Sequence, residues 1–355
     1  MAQAQALGGA GCDVVFAGPR RSPAFRKAVE AGLPAAGVEL LGAAFPLGLA
    51  SLARLTGRMR FDAVCVHRSE DQSAAVIASG APVVRVRSDI RRPSSGPLAR
   101  LIDARTALVV FSSPFMLRNG YSRGRKGPVA CIPAPVDTGR FVPPPRREPG
   151  TRIAAVGRLS EVKGHAALIR AVARVPSARL TIAGAPAQLS IRDLEALAGS
   201  LGAGDRVEVV GRVEDVAPLY REAFLGVVPS LASEAVSRVA GEMMASGLPV
   251  LAAATNSLVD MVLDGRTGLL HPPGDADTLA GQIGYLLANP GIALEMGAAA
   301  RERCVRLYSR RAVAEAWIET LRGAGFGTHE GAGGEHGAVE RGITPGSGFN
   351  REDVR

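Results

Sequence analysis

The 355-residue chain is short of cysteine, lysine and aromatic residues, and each shortage excludes something. Its four cysteines, Cys12, Cys65, Cys131 and Cys304, are scattered and form no C-x-x-C pair. That excludes a disulfide scaffold and a cysteine zinc site, and fits reduced thiols in a cytosolic protein. Aromatic residues make up 4%, too few for the stacking platforms of single-strand nucleic-acid binders. No run of 18 apolar residues is present to span a membrane as a helix. The opening MAQAQALGGAG lacks the basic start and apolar stretch of a secretory leader. The five histidines are dispersed, with His329 and His336 near the end, and no cluster has metal-ligand spacing, so neither a metal nor a cofactor is expected. What the chain does have is 47% hydrophobic residues over a length that suits two domains, which excludes disorder as the main state.

The net charge of +9 invites a nucleic-acid reading, but the charge is unevenly placed. Residues 1–150 carry 21 Lys and Arg against 10 Asp and Glu, and the remainder is slightly acidic. Only Lys27, Lys126 and Lys163 are lysines. With aromatics so sparse, no nucleic-acid partner is expected. An anionic membrane surface or acceptor suits the basic half better, with Arg91, Arg92, Arg123 and Arg125 as exposed candidates. The expected location is cytoplasmic, with peripheral attachment to the inner face of the plasma membrane.

Short apolar, β-branched runs alternate with stretches rich in Ala, Leu and Arg, the α/β pattern of parallel sheets. Strands are expected at 13–18, 62–67, 82–87, 107–113 and 129–133, and again at 152–157, 178–184, 206–211, 225–230 and 249–254. FVPPPRREPG at 141–150 lies between the two series, and its three successive prolines suit an exposed linker. The expected organisation is therefore a lobe over 1–140, a linker over 141–150, a second lobe over 151–322 and a glycine-rich disordered tail over 323–355.

Chemistry concentrates in the second lobe. AAVGRLSEVKGH (154–165) is a strand followed by a loop carrying Arg158 and Lys163. Such a loop sits at the carboxyl edge of a parallel sheet, where two cations can clamp a diphosphate, although a solvated basic loop reads equally well in isolation. Further on, VVPSLASEAVSRVAGEMMASGLPVLAAA holds Glu234 and Glu242. If a helix begins near Glu234, the two carboxylates lie about 12 Å apart along its axis, too far to share a proton and suited to the two ends of an extended ligand. The N–H groups of Ala235, Val236 and Ser237 would then be the open donors of the helix start. An acidic first turn plus a solvated glutamate remains the plain alternative.

Taken together these stretches resemble the C-terminal lobe of the retaining GT-B glycosyltransferases of family 4, continuously from about 151 to 322. The residues that carry the resemblance are VGRLSEVKGH, LTIAG, VVGRVEDVAPLY, PSLASEAVSRVAGEMMASGLPV, DMVLDGRTGLLHPPGD and ARERCVRLYSRRAVAEAWIETL. The resemblance implies a GT-B fold of two doubly wound Rossmann-like lobes facing a cleft. It implies a UDP-, GDP- or ADP-sugar donor, a glycan or lipid-linked acceptor, and transfer with retention without a required metal. By position, Gly157, Arg158, Lys163 and Gly184 would bind the donor diphosphate region and Glu242 the ribose. Glu234 would face the transferred sugar, with backbone contacts from Ala235, Val236 and Ser237; Arg158, Lys163 and Glu234 would carry catalysis. The SEAVSRVAGEMMASG wording is closest to a bacterial branch that builds lipopolysaccharide and other envelope glycans. A catalytically silent nucleotide-sugar-binding protein and a sugar-nucleotide epimerase of GT-B shape are the alternatives.

The first lobe departs from that pattern. Where relatives carry a histidine after the strand at 82–87, this chain reads RSDIRR, so Asp89 or Arg87 takes that space or forms a loop salt bridge. His67 follows its own strand and reads as a structural histidine capped by backbone. The glycines after LTIAG are thinned to Gly184. AQALGGAGCDVVFAG is similar to the family segment where the first helix leads into the second strand. The first strand and its glycine-rich loop are therefore expected to be missing, with the true start upstream, or another segment remodelled to fill the gap.

Overall fold

The computed structural model describes residues 1–40, 45–92, 96–232 and 235–326. They fall into two compact units, one comprising 1–135 with the chain from Arg310 onward, the other 136–309.

The second unit holds one six-stranded parallel sheet in the order β12-β11-β10-β7-β8-β9. Its strands are β7 (Arg152–Val156), β8 (Arg179–Ala183), β9 (Val207–Val210), β10 (Leu225–Val228), β11 (Val250–Ala253) and β12 (Gly268–His271). β10 and β11 are buried at every position, as strands covered by helices on both faces must be, which is why they read as unbroken apolar runs. The helices are α7 (His165–Ala173), α8 (Ile191–Ser200), α9 (Ala217–Glu222), α10 (Arg238–Ala245), α11 (Leu258–Met261), α12 (Ala276–Ala288) and α13 (Pro290–Tyr308). Ser190 and Asp193 close a reciprocal capping box on α8, and Asp275 caps α12 by accepting from the N–H groups of Asp277 and Thr278. Leu168 and Ile169 of α7, Leu180 and Ile182 of β8 and Ile283 of α12 meet in one core.

The first unit contains β1 (Phe16–Gly18), β2 (Ala35–Gly37), β3 (Val64–Val66), β4 (Val83–Arg87), β5 (Leu108–Phe111) and β6 (Val129–Cys131). All pair in parallel but in two pieces, β1-β2 and β3-β4-β5-β6. Its helices are α1 (Ala2–Gly9), α2 (Pro23–Glu30), α3 (Phe45–Arg58), α4 (Ser69–Ala78), α5 (Pro97–Ala104) and α6 (Pro114–Arg118), completed by α14 (Arg310–Gly323) from the far end of the chain.

All ten expected strands are present, with two more, and no described helix is long and apolar enough to cross a membrane. The structure differs from the expected boundaries in three places. The proline segment is folded onto the second unit: Phe141 is 6% exposed and its ring centroid lies 5.9 Å from that of Tyr220. Arg147 donates to the Ser246 carbonyl at 2.7 Å and to that of Ala223, while Arg301 donates to the carbonyls of Thr138, Phe141 and Ala245. Prolines supply no N–H, so in place of a β-ladder the segment is tied by its own Arg147, which donates outward, and by Arg301, which meets the Phe141 carbonyl. The second difference is α14, whose Val313 and Trp317 are buried against Val84, Val86, Leu108 and Val110 of the first unit. The third is the start of the tail: α14 continues to Gly323, Gly325 adopts φ +82°, and Phe326 N–H returns to the Leu321 carbonyl at 2.9 Å. This is a Schellman-type close that folds Phe326 onto the same core. The expected tail from 327 on lies outside the described residues.

Candidate functional site

β7 and β10 are neighbours in the middle of the second unit's sheet, with β8 on one side and β11 on the other. The chain leaving β7 turns towards β8, whereas that leaving β10 turns towards β11. This reversal opens a crevice at the carboxyl edge, the place where doubly wound sheets take ligands. The loop 157–164 fills its rim and is stitched on both sides. Leu159 N–H donates to the Ala185 carbonyl at 2.9 Å, and Leu231 N–H to the Val162 carbonyl at 2.8 Å.

Two glycines let these loops approach so closely. A Cβ on Gly184 would stand 1.8 Å from the Gly157 carbonyl oxygen. A Cβ on Gly164, whose φ is +71°, would stand 2.0 Å from the Pro229 oxygen. Both neighbours are backbone, so no side-chain rotation relieves the overlap.

This loop carries both predicted cations. Arg158 is exposed and Lys163 half-buried, its Cγ 3.6 Å from where a Cβ on Gly157 would lie. Beneath them is a residue the sequence reading passed over. His165, 2% exposed at the first position of α7, has Nε2 3.2 Å from the Arg158 carbonyl oxygen. A carbonyl only accepts, so Nε2 carries the proton and donates. Burial lowers the His165 pKa against the pull of the Arg158 and Gly157 carbonyls, which favours the neutral ring. Its Nδ1 and the Ser160 hydroxyl are buried and without a partner among the described residues. The K-G-H wording held the signal, since a histidine opening a buried helix behind a glycine needs a partner on the preceding loop.

Glu242 projects from α10, the helix that follows β10. It is half-buried and accepts from the hydroxyl of Tyr220, a fully buried tyrosine, at 3.4 Å. Burial raises the Glu242 pKa, opposed by Arg238, the Tyr220 hydroxyl and Arg140. Arg140 is paired with Asp215 at 3.0 Å. Tyr220 and Arg140 are thus further members of this surrounding that the sequence reading did not select.

The expected helix start near Glu234 is corrected. α10 begins at Arg238, capped by Ser237, whose Oγ accepts from Ala240 N–H at 3.4 Å. Ser237 competes effectively for the cap because its hydroxyl reaches the third helical N–H. Ala235 and Val236 therefore precede the helix, half-buried, and their N–H groups are not its open donors. Glu242 lies about one turn, not two, beyond the start. Glu234 lies outside the described residues.

In the first unit Arg87 and Asp89 form a 3.8 Å ion pair, and Asp89 also accepts from Arg91 N–H at 2.9 Å. The departing sequence RSDIRR thus makes a self-bridged loop. His67 is exposed just after β3, not capped in the interior. No three His, Cys, Asp or Glu gather as a metal site among the described residues.

A pH dependence follows from His271, at the end of β12 and 2% exposed. Burial pulls its pKa down to about 4, with Asp275 and Gln282 opposing. Because the folded value lies below the ordinary 6.5, the unfolded chain binds the extra proton. The contribution to stability is full above 6.5 and is lost as pH falls towards 4. We expect the unfolding free energy from urea titration to drop by about 2 kcal/mol on this account between pH 7 and 5. His271→Gln should flatten the drop, and an unchanged pH slope in that variant would refute the assignment.

Residues 150–289 match the family described as Glycosyl transferases group 1. The D-inositol 3-phosphate glycosyltransferase of Mycobacteroides abscessus is 40% identical over 39% of this chain and 32% of its own length. The lipopolysaccharide core biosynthesis glycosyltransferase LpsE of Rhizobium meliloti is 28% identical over 61% of this chain and 64% of its own. The chain thus spans about a third to somewhat under two thirds of these curated relatives. Among solved structures, Anabaena Alr3699/HepE in complex with UDP superposes with a TM-score of 0.79 at 20% identity, covering 90% of this chain and 95% of that one. The fold is GT-B, built from two Rossmann-like lobes, and the stretch similar to the glycosyl transferases group 1 model lies in the second.

Proposed function

We propose that this chain is a glycosyltransferase that takes its sugar from a nucleotide-sugar donor bound by the second lobe. The observation that carries the reading is the loop 157–164, which presents Arg158 and Lys163 at the sheet's switch point and is held rigid by Gly164, Gly184 and His165. Breaking the bond from sugar to phosphate builds negative charge on the departing diphosphate. Two fixed cations there bind the transition state better than the ground state. Gly157 and Gly184 are assigned to donor binding through the loop shape they allow, their own N–H groups being taken up by the carbonyls of Ala183 and of Val210 and Gly211. Glu242, shielded beside Tyr220, suits the ribose hydroxyls, and Glu234 with Ala235, Val236 and Ser237 is assigned to the transferred sugar. Carboxylates near a diphosphate are tolerable only when they face hydroxyls.

The reading extends to a glycan or lipid-linked acceptor in lipopolysaccharide or other envelope-glycan synthesis, in line with the LpsE match, and to transfer with retention and without a required metal, which rest on the sequence resemblance alone. Complexes of the Anabaena neighbour with UDP and UDP-glucose make uridine diphosphate sugars the first donors to try.

Thermal shifts with UDP-, GDP- and ADP-linked sugars test the donor site, since a ligand at a hundred times its Kd stabilises the folded state by about 2.7 kcal/mol. We expect Glu242→Gln to weaken binding of the bare nucleoside diphosphate. Glu234→Gln should spare it and impair binding or transfer of the intact sugar nucleotide. Equal effects of both changes on both ligands would contradict the assignment. A shift without turnover on any glycan or lipid-linked acceptor would favour a silent binder, and a shift with interconversion of the free sugar nucleotide an epimerase.

A further inference from the structure

α9 has six residues, Ala217–Glu222, too few to hold a helical shape without outside support. Support comes from the stretch 136–147, where the chain enters the second unit. At the start of the helix Asp215 accepts from the Ala217 N–H at 2.9 Å and pairs with Arg140 at 3.0 Å. In its middle the Tyr220 ring lies 5.9 Å from that of Phe141, and the Arg140 guanidinium lies over Phe141 at 5.4 Å. At its end Arg147 donates to the carbonyls of Tyr220 and Arg221, each at 3.3 Å, and to that of Ala223. The last carbonyls of a helix lack partners within it, so this arginine completes what six residues cannot.

The same stretch also grips α10. A Cβ on Gly241, the residue before Glu242, would stand 2.7 Å from Cγ2 of Val136, and one on Gly247 would stand 3.1 Å from Pro143. Arg147 reaches the Ser246 carbonyl at 2.7 Å. Two helices are thus seated on one strip of chain, and between them the Tyr220 hydroxyl donates to Oε2 of Glu242 at 3.4 Å. Tyr220 is 0% exposed, so its hydroxyl has no bulk water to turn to. The bond occupies Oε2 and leaves Oε1 for a ligand. Arg238, one turn earlier on α10, and Arg140 from the strip join Tyr220 in holding the carboxylate charged against its burial.

We propose that the stretch 136–147 is a working part of the donor site: by way of α9 it sets the Tyr220 hydroxyl against Glu242, making Tyr220 the positioning residue for the carboxylate that takes the ribose. A glutamate on a helix has several rotamers open to it, and a fixed donor at one oxygen selects the rotamer in which the other meets the ligand. The inference rests on the ribose assignment of Glu242 and adds what sets the strength of that contact.

The test is calorimetric titration of the full chain with UDP, GDP and ADP, each beside its 2′,3′-dideoxy form, which lacks the hydroxyls in question. The unaltered chain should prefer an ordinary nucleotide to its dideoxy form, and Glu242→Gln should lose most of that preference. Tyr220→Phe removes one oxygen and no packing, so it should weaken the ordinary nucleotide about fivefold and spare the dideoxy form. Added to Glu242→Gln it should have no further effect, because it acts through that carboxylate. In Tyr220→Phe the acid limb of nucleotide affinity should move to higher pH, since the carboxylate loses a donor that holds its pKa down. Phe141→Leu should repeat the selective loss in smaller measure. Ile283→Val, in the core shared by α7, β8 and α12, should lower the Tm and leave the preference unchanged.

A preference unchanged in Tyr220→Phe but lost in Glu242→Gln would overturn the inference and leave the ribose assignment standing. Equal weakening of both nucleotide forms by Tyr220→Phe would do the same, reducing the hydroxyl to a structural role. Selective loss in Tyr220→Phe with none in Phe141→Leu would remove the stretch 136–147 from the site. No binding of any nucleotide, or a preference that survives Glu242→Gln, would overturn the ribose assignment and this inference with it.

Discussion

Arg158→Ala and Lys163→Ala should each lower donor turnover more than tenfold, with the folded state intact. Both side chains stand on a loop shaped by backbone bonds and by glycines. On the proposed reading, removing either takes away charge at the leaving diphosphate while the backbone frame of the crevice stays. Loss of one preorganised cation at a site of developing charge costs about 2–4 kcal/mol of transition-state stabilisation. The signature is a fall in kcat with a smaller change in the affinity for nucleoside diphosphate. Near wild-type rates in both variants would remove the diphosphate assignment, whatever the fold.

Adding a single methyl group at Gly184 or Gly164 should have the largest effect on stability. At either position the new carbon overlaps a backbone carbonyl, and at Gly164 the positive φ adds strain of its own. Strain and overpacking together are on the order of 3 kcal/mol, enough to lower the Tm of the second unit by several degrees and to pry apart the loops that present Arg158. Gly281→Ala is the control. That glycine lies exposed in α12 with open space around it, and alanine there should stabilise by about 0.5–1 kcal/mol. If Gly184→Ala and Gly281→Ala melt alike in a calorimeter, the close approach of the two loops is wrong.

The strands that announced themselves were the β-branched ones. Runs such as PVVRVR and LGVVPS carry Val at positions buried on both faces of a parallel sheet, and composition alone marks them. β2 and β12 did not, because Ala35–Gly37 and Gly268–His271 offer almost no β-branched residue. They are strands because β1 and β11 supply the ladder, a tertiary cause invisible to a local pattern. Around the candidate site, the sequence order placed Arg158 and Lys163 on the loop after β7, Gly184 after β8 and Glu242 on the helix after β10, where they lie. His165 and Tyr220 were not legible, since a buried imidazole and a buried phenol look like any core residue until their polar atoms find partners. The helix was expected to start near Glu234, whereas Ser237 supplies the cap and α10 begins at Arg238, a choice the tertiary setting makes. The three successive prolines told part of the story: residues 145, 146 and 148–150 are exposed as expected, whereas Phe141 and Arg147 in the same stretch anchor it.

The course of the chain after Ser309 bears on inheritance. The first lobe is assembled from two stretches separated by the whole of the second, and α14 closes over β4 and β5 with Trp317, the protein's sole tryptophan. A gene fusion joining the front of one such chain to the back of another at the proline segment would deliver a foreign α14 to the resident sheet. The two lobes are thus not freely exchangeable cassettes. A viable recombinant must carry the last helix with the front lobe or select compensating changes around Val313 and Trp317, so those positions should drift in concert with the first 135 residues and not with the lobe that immediately precedes them.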